Sequence, residues 1–275
     1  MRIFLAGGSG VIGSRLIPEL AKAGHEVVAT TRRAENLGYL RERGAEGVVA
    51  DVYDAPHLAA VVKEARPGLV LHQLTDLGDF DTEANARLRR AGTANLVAAA
   101  KAADVGRMMV QSIAWAYTAG DTPATEDDPI EPDSAVAAME DSVRRMPRAT
   151  VLRYGMLYGP STWYAPGARM ANAVVAGLVP ATAAVTSFVH IDDVVTATVQ
   201  AIDWSDGTYN VVDDEPAPAT QWLPAYAAGL GAPAPEPGDL PEGAARGRGA
   251  SNAKARAAGW VPEYASWREG FPRLR

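Results

Sequence analysis

With 275 residues, 48% of them hydrophobic and 21% charged, the chain has the makeup of a folded globular protein and not of a disordered one. Its formal charge of -7 argues against a general nucleic-acid binder, and no apolar run approaches the ~20 residues of a membrane span. Cysteine is absent, which removes disulfides and thiol catalysis and makes a cytoplasmic setting the expectation.

The first expected element is a strand over residues 2–6, an apolar run that passes straight into glycines and so reads as a strand and not as a signal peptide. Further strands are expected at 26–31, 47–50, 69–74, 108–112 and 150–153, separated by helical stretches such as 10–23 and the Ala- and Leu-rich 85–103. Short β-branched runs alternating with longer amphipathic ones are the pattern of βαβ units. The expected class is therefore α/β, a Rossmann-type doubly wound parallel sheet with helices on both faces. After Gly155 the prolines Pro160, Pro166 and Pro180 interrupt the chain and Trp163 and Tyr164 cluster, which marks a smaller C-terminal substrate-binding part. A helix at 192–201, opening on two aspartates, and a strand at 208–212 follow. The expected division is a nucleotide-binding domain over 1–154 and a mainly substrate-binding part over 155–275, with 188–212 returning to the first domain. The Pro-, Gly- and Ala-rich stretch 231–249 reads as a mobile surface loop, with a functional lid as the sharper reading. No internal repeat of fixed period is present.

Gly7, Gly10 and Gly13 lie between the first strand and the first helix, and that context gives the glycines their meaning. Gly7 allows a tight turn, Gly10 allows the backbone to approach a pyrophosphate, and Gly13 allows close packing of helix on sheet. Unpaired N–H groups at the helix start favour phosphate, so Gly7, Ser9, Gly10, Val11 and Ile12 are the expected dinucleotide cradle. A carboxylate at the end of the second strand would bind the ribose hydroxyls of NAD. The sequence has Thr31-Arg32-Arg33 instead, and guanidiniums suit the 2'-phosphate of NADP. The competing reading of Arg32 and Arg33 is solvated loop charges. Asp51 and Val52, after the third strand, are expected near the adenine, with a plain strand-ending aspartate as the competing reading of Asp51.

Together with Ala91-Gly92-Thr93-Ala94-Asn95-Leu96, Val110-Gln111-Ser112, Leu152–Pro160, Phe188–Asp193 and Gly207–Val211, these residues resemble the extended or atypical branch of the short-chain dehydrogenase/reductase superfamily. The resemblance is to NAD(P)-dependent epimerases and dehydratases of sugar nucleotides and covers nearly the whole chain. It implies Leu74, Thr75, Gln111 and Tyr154 as further cofactor contacts, and a homodimer through two long helices. It also implies a Tyr-x-x-x-Lys pair in which lysine lowers the tyrosine pKa for proton exchange with substrate. That pair is missing. The only lysines are Lys22, Lys63, Lys101 and Lys254, and alignment through Glu140 puts Pro132 and Val136 in the Tyr and Lys places. Ser112, the expected hydroxyl partner, lies one place early, with Ile113 in the slot.

Ligands of a doubly wound sheet meet the carboxyl ends of its strands. Tyr117 is accordingly the first choice for a replacement acid, with Ser112 beside it, against the plainer reading of an aromatic packed under a loop. Asp76, Tyr158 and Trp163 are expected to contact substrate. Trp163, Tyr164 and Trp222 are read either as a stacking surface for an apolar ring or as ordinary packing. His190, Asp192 and Asp193 read as a helix start with capping groups, and His25, His57, His72 and His190 have no zinc-ligand spacing. The leading expectation is an NADP-dependent oxidoreductase or epimerase-like enzyme acting on a small hydroxyl or carbonyl compound. A redox-neutral isomerase, cyclase or dehydratase and a non-catalytic NADP-binding regulator are the alternatives. No metal, nucleic acid or membrane partner is expected.

Overall fold

The structure is a computed structural model that describes residues 1–77, 81–240, 242–243 and 246–274. In chain order it forms β1 Arg2–Ala6, α1 Gly13–Lys22, β2 Glu26–Thr31, α2 Leu37–Glu42, β3 Ala45–Val49, α3 Ala55–Ala65, β4 Leu69–His72, α4 Thr82–Arg87, α5 Thr93–Ala102 and β5 Arg107–Ile113. Then come α6 Ala135–Arg144, β6 Arg148–Tyr154, β7 Met156–Tyr158, α7 Arg169–Val175, β8 Val185–Thr186, β9 Phe188–His190, α8 Ile191–Gln200, β10 Gly207–Val211, β11 Ala217–Pro218, α9 Ala219–Gly229, α10 Ala253–Ala257 and α11 Trp267–Gly270. A π-helical turn, Leu88–Gly92, joins α4 to α5.

Seven strands form one sheet in the order β10-β6-β5-β4-β1-β2-β3. Pairing is parallel from β3 through β2, β1 and β4 to β5, with Phe4 opposite Val28 and Val70, and Leu71 opposite Met109. The order reverses direction at β1 and β4, as the doubly wound α/β reading requires. Ile3, Phe4, Leu5, Val70 and Leu71 have no exposed area, and a parallel strand covered by helices on both faces is accordingly a near-continuous apolar run.

The chain divides into two compact units. One comprises Met1–Ser112, Pro132–Leu152 and Thr198–Thr208; the other comprises Ile113–Glu131, Arg153–Ala197 and Tyr209–Arg275. Residues 113–131 and 153–154, expected in the first domain, fall in the second unit, and of the stretch 188–212 residues 198–208 belong to the first.

The first unit's core joins Phe4, Val28 and Val70 to Leu96, Ala100, Met108, Met139 and Val143. Three of its helices start on side-chain caps. Asp81 accepts from Glu83 N and Ala84 N at the head of α4, Asp54 from His57 N at the head of α3, and Ser134 from Ala137 N at the head of α6. The second unit's core is aromatic. Phe188 meets Trp222, Phe271 and Tyr164 edge to face at 5.0, 5.2 and 5.4 Å between ring centres. Asp193 and Asp213 anchor the chain's last turns there. Asp193 accepts from Glu263 N and Tyr264 N at 2.6 and 3.0 Å, and Asp213 from Trp267 N at 2.9 Å. Asp193 thus does not simply cap its own helix, whereas Asp192 stays beside His190 Nδ1 at 3.6 Å.

The stretch expected as a free loop, 231–249, is tied down where it is described. Ala181 N donates to Glu236 O, Val185 N to Arg246 O, and Arg248 Nε to Thr122 O. Residues 241, 244 and 245 of that stretch lie outside the described residues.

Candidate functional site

In the first unit, the turn after β1 is built for a close visitor. Gly7 has φ +97°, a region that favours glycine. A Cβ on Gly13 would stand 2.1 Å from the Gly7 carbonyl oxygen, so only glycine lets α1 start this close to β1. At Gly10 the added carbon would meet nothing nearer than that same oxygen at 3.3 Å, which leaves its outer side open. Gly10 N donates to Gly7 O and Gly8 N to Thr30 O, whereas no described residue accepts from the backbone N–H of Val11 or Ile12. Two free amides at the start of a ten-residue helix, above a turn without side chains, fit a pyrophosphate.

At the end of β2 the Thr31 hydroxyl stands where an NAD-reading carboxylate would be. Its oxygen gathers Ser9 Oγ, Arg33 N and Asn36 Nδ2 at 3.2–3.3 Å. Arg32 and Arg33 are exposed beyond it. Arg32 Nη1 lies 3.7 Å from Asp76 Oδ2, so Asp76, expected against substrate, is turned toward the arginine of the second strand. Asp51 accepts from Tyr53 N at 2.9 Å, and Val52 is buried with its carbonyl held by Asn95 Nδ2. Leu74 offers its carbonyl to Gln111 Nε2 at 3.0 Å, beside the exposed Thr75. Gly7, Ser9, Gly10, Val11, Ile12, Arg32, Arg33, Asp51, Val52, Leu74, Thr75 and Gln111 all fall in this one unit.

Ser112 closes the first unit's fifth strand and is 3% exposed. Its hydroxyl donates to Glu140 Oε1 at 2.6 Å, and the other carboxylate oxygen of Glu140 meets Arg144 Nη2 at 2.6 Å. Glu140 has no exposed area. The Ser112 proton is thus committed to a buried carboxylate on α6, the helix that in the family carries the missing tyrosine and lysine.

In the second unit, Tyr117 is 9% exposed and its hydroxyl donates to Asn210 Oδ1 at 2.7 Å. The Arg153 guanidinium lies 4.6 Å over its ring. Burial nonetheless wins and holds the phenol above its usual pKa. Tyr117 lines a cavity of about 200 Å³ with Trp115, Met156, Val185, Ser187 and Arg248. Arg248 is neutralised there by Asp128 at 3.1 Å, so the cavity's character is set by Trp115, Met156 and Val185. Trp115 is 54% exposed, an unusual state for the largest apolar side chain.

The other aromatics expected at substrate lie elsewhere. Tyr158 has no exposed area and packs edge to face on His190 and Phe271, so it belongs to the core. Tyr164 and Trp222 are core residues as well, and Trp163 is half-buried against them. Tyr154 is 2% exposed, and its carbonyl accepts from Ala114 N. Trp115, Met156, Arg153 and Glu140 were not singled out from the sequence as site residues. Only Trp115, two residues before Tyr117 beyond the fifth strand, carried a local signal. Among the described residues no group of three or more His, Asp or Glu side chains gathers to hold a metal, and no helix is long and apolar enough to cross a membrane.

The model of the NAD dependent epimerase/dehydratase family matches residues 3–212. A 3-diazoavenalumate denitrifying reductase from a Streptomyces species is 42% identical over 309 aligned residues, covering 99% of this chain and 100% of that protein. The UDP-glucose 4-epimerase of Thermus thermophilus in complex with NAD superposes with a TM-score of 0.80 at 25% identity, covering 100% of this chain and 99% of that one. The UDP-glucose 4-epimerase of Thermotoga maritima with UDP-glucose gives 0.81 at 21% identity over 99% and 96% of the two chains. The resemblance read from the motifs therefore holds, and the non-catalytic alternative gives way to an enzyme. With its glycine cradle, its sheet order and a relative matched from end to end, this chain belongs to the NAD dependent epimerase/dehydratase family as an oxidoreductase or epimerase-like enzyme.

Proposed function

We propose that this protein is an NADPH-dependent reductase that removes the nitrogen of a small arenediazonium carboxylate and puts hydrogen in its place. The observation that carries the reading is the loss of the proton relay. Pro132 and Val136 occupy the places of the tyrosine and lysine, and the two remaining hydroxyls, Ser112 and Tyr117, spend their protons on Glu140 and Asn210.

Reduction of a carbonyl, or epimerisation through one, moves a proton on or off an oxygen and needs a positioned acid or base. Loss of dinitrogen does not. Reduced nicotinamide, when bound, supplies a hydride whose electron pair forms the new carbon–hydrogen bond, while the pair of the breaking carbon–nitrogen bond of a diazonium leaves with neutral dinitrogen. No alkoxide develops, so the chain has nothing to protonate. The name of the Streptomyces relative describes a reaction of this kind.

The chain's own residues then bind and orient. Gly7, Gly10, Val11 and Ile12 hold the pyrophosphate, Leu74, Thr75, Gln111 and Tyr154 are the expected contacts further along the cofactor, and Arg32 with Arg33 takes the 2'-phosphate, which selects NADP over NAD. Ser112, with Glu140 and Arg144, fixes α6 against β5. Tyr117 shapes the cavity it lines. The apolar lining of that cavity, with Trp115 exposed in it, suits a flat ring better than a sugar. A cytoplasmic setting fits a cysteine-free enzyme that draws on reduced NADP.

The test uses an arenediazonium carboxylate and NADPH deuterated at C4. One dinitrogen released per NADPH oxidised, with deuterium at the vacated carbon, is the expected result. NADPH oxidation without nitrogen release, or nitrogen release with no deuterium in the product, overturns the proposal.

A further inference from the structure

Asn85, Arg89 and Thr93 follow one another at intervals of four along the helix that returns from β4. Its first and last members are both tied to the carboxyl end of that strand. Asn85 Oδ1 accepts from Asp76 N at 3.0 Å, and Thr93 Oγ1 lies 2.9 Å from His72 Nε2. Side chains four apart share a helix face. Arg89 therefore stands between two residues that bracket Gln73, Leu74 and Thr75, where ligands of a doubly wound sheet collect.

Arg89 lies within the π-helical turn Leu88–Gly92, a geometry frequent at functional sites. It is half-buried, and among the described residues no carboxylate pairs with it and no acceptor receives its N–H groups. Its neighbours on the same turn are spoken for: Arg90 donates to Asp133 O at 2.6 Å, and Arg87 lies 4.5 Å over the Tyr53 ring. Burial disfavours the charged form and lowers the Arg89 pKa. A half-buried guanidinium with no partner among the described residues is one that a ligand can answer.

We infer that Arg89 is the seat of the substrate's carboxylate, held by a two-pronged guanidinium contact at the carboxyl end of β4. The pyrophosphate already has its own seat at Gly10, Val11 and Ile12, which leaves the Arg89 fork for a second anion. The inference rests on the reductase reading for the existence of a small carboxylate substrate. Its test needs no turnover.

NADP⁺-loaded protein is titrated by calorimetry with 4-hydroxycinnamate and with its uncharged amide, in the wild type, Arg89→Met and Arg89→Lys. The wild type should take the carboxylate about tenfold or more tightly than the amide, Arg89→Met should lose that preference, and Arg89→Lys should keep part of it. Arg89→Met should also melt at a higher temperature without ligand, since it removes a desolvated charge that has no partner among the described residues, and its NADP⁺ affinity should be unchanged. Equal binding of carboxylate and amide, undiminished carboxylate binding by Arg89→Met, or a loss of NADP⁺ affinity in that variant overturns the inference. So does a wild type that gives no heat with the carboxylate, whereas nitrogen release from a diazo substrate, assayed separately, would leave the reductase reading standing.

Discussion

The Tyr117 hydroxyl gives its proton to Asn210 Oδ1 at 2.7 Å, and Asn210 in turn donates to the backbone carbonyls of Ala124 and Ser251. Its backbone N–H reaches Glu126 Oε1 at 2.7 Å. Tyr117 is therefore a strut that joins the loop after β5 to β10, with its proton aimed into the protein. Tyr117→Phe should leave a buried carbonyl oxygen without its donor and cost about 1–2 kcal/mol in urea unfolding. Reductive turnover should stay within about threefold of wild type, whereas loss of a working acid would cost about 100-fold or more. Steady-state kinetics on the diazo substrate decides between them.

The glycines of the first turn should separate folding from binding. Alanine at Gly13 forces a carbon to 2.1 Å from the Gly7 oxygen, so that variant must shift α1 off β1 and should lose both melting temperature and cofactor. Alanine at Gly10 meets only an oxygen at 3.3 Å on the protein side and projects its methyl toward the pyrophosphate. Gly10→Ala should fold normally by circular dichroism, yet bind NADPH at least about tenfold more weakly, the size of one blocked close approach by charge-assisted hydrogen bonds.

What the sequence disclosed and what it hid follow from the range of the forces involved. β1 and β2 were legible to the residue because a strand buried on both faces is a near-continuous apolar or β-branched run. β3 was placed two residues late, since Ala45 and Glu46 do not look like strand. Glu46 is carried there by pairing with Val28 and by Arg2, 2.6 Å away. The long helix begins at Thr82 and not at 85 because Asp81 caps it, and its π-helical turn has no signature in composition. Tyr158 reads from the sequence as a substrate contact, and Tyr164 and Trp222 as either a stacking surface or ordinary packing, because an aromatic cluster reads alike in a pocket and in a core. Burial separates the two, and burial depends on the distant Phe188 and Phe271. The Arg153–Tyr117 stacking and the Ser112–Glu140 bond join residues 36 and 28 positions apart, beyond any local pattern.

Arg32 should be the residue that reads the 2'-phosphate, and Asp76 should moderate it. Their charges are 3.7 Å apart and exposed, a weak pair that a phosphate can displace. Arg32→Ala combined with Arg33→Ala should cut the preference for NADPH over NADH by about 10- to 100-fold, the range for one or two charge-assisted contacts. Asp76→Asn should move the other way and tighten NADPH a few-fold, about the worth of an exposed ion pair released. Fluorescence titration with both nucleotides measures each, and equal affinities in the wild type would remove the arginines from cofactor selection.

His72 ties stability to pH through the strand that carries the site. It is wholly buried at the end of β4, its Nδ1 accepts from Leu74 N at 3.2 Å, and its Nε2 faces Thr93 Oγ1 at 2.9 Å. Both contacts are met by the neutral ring, and burial pushes its pKa down to about 4. The unfolded chain keeps the ordinary value near 6.5, so between the two the unfolded state binds the extra proton. The folded state keeps its full advantage above pH 6.5 and loses it as pH falls toward 4, by about 3 kcal/mol across that window. His72→Gln carries no titrating proton. Its urea-unfolding free energy should be lower than wild type at pH 7, with a gap that narrows steadily toward pH 4; a gap that stays constant across those values would mean that His72 does not titrate there.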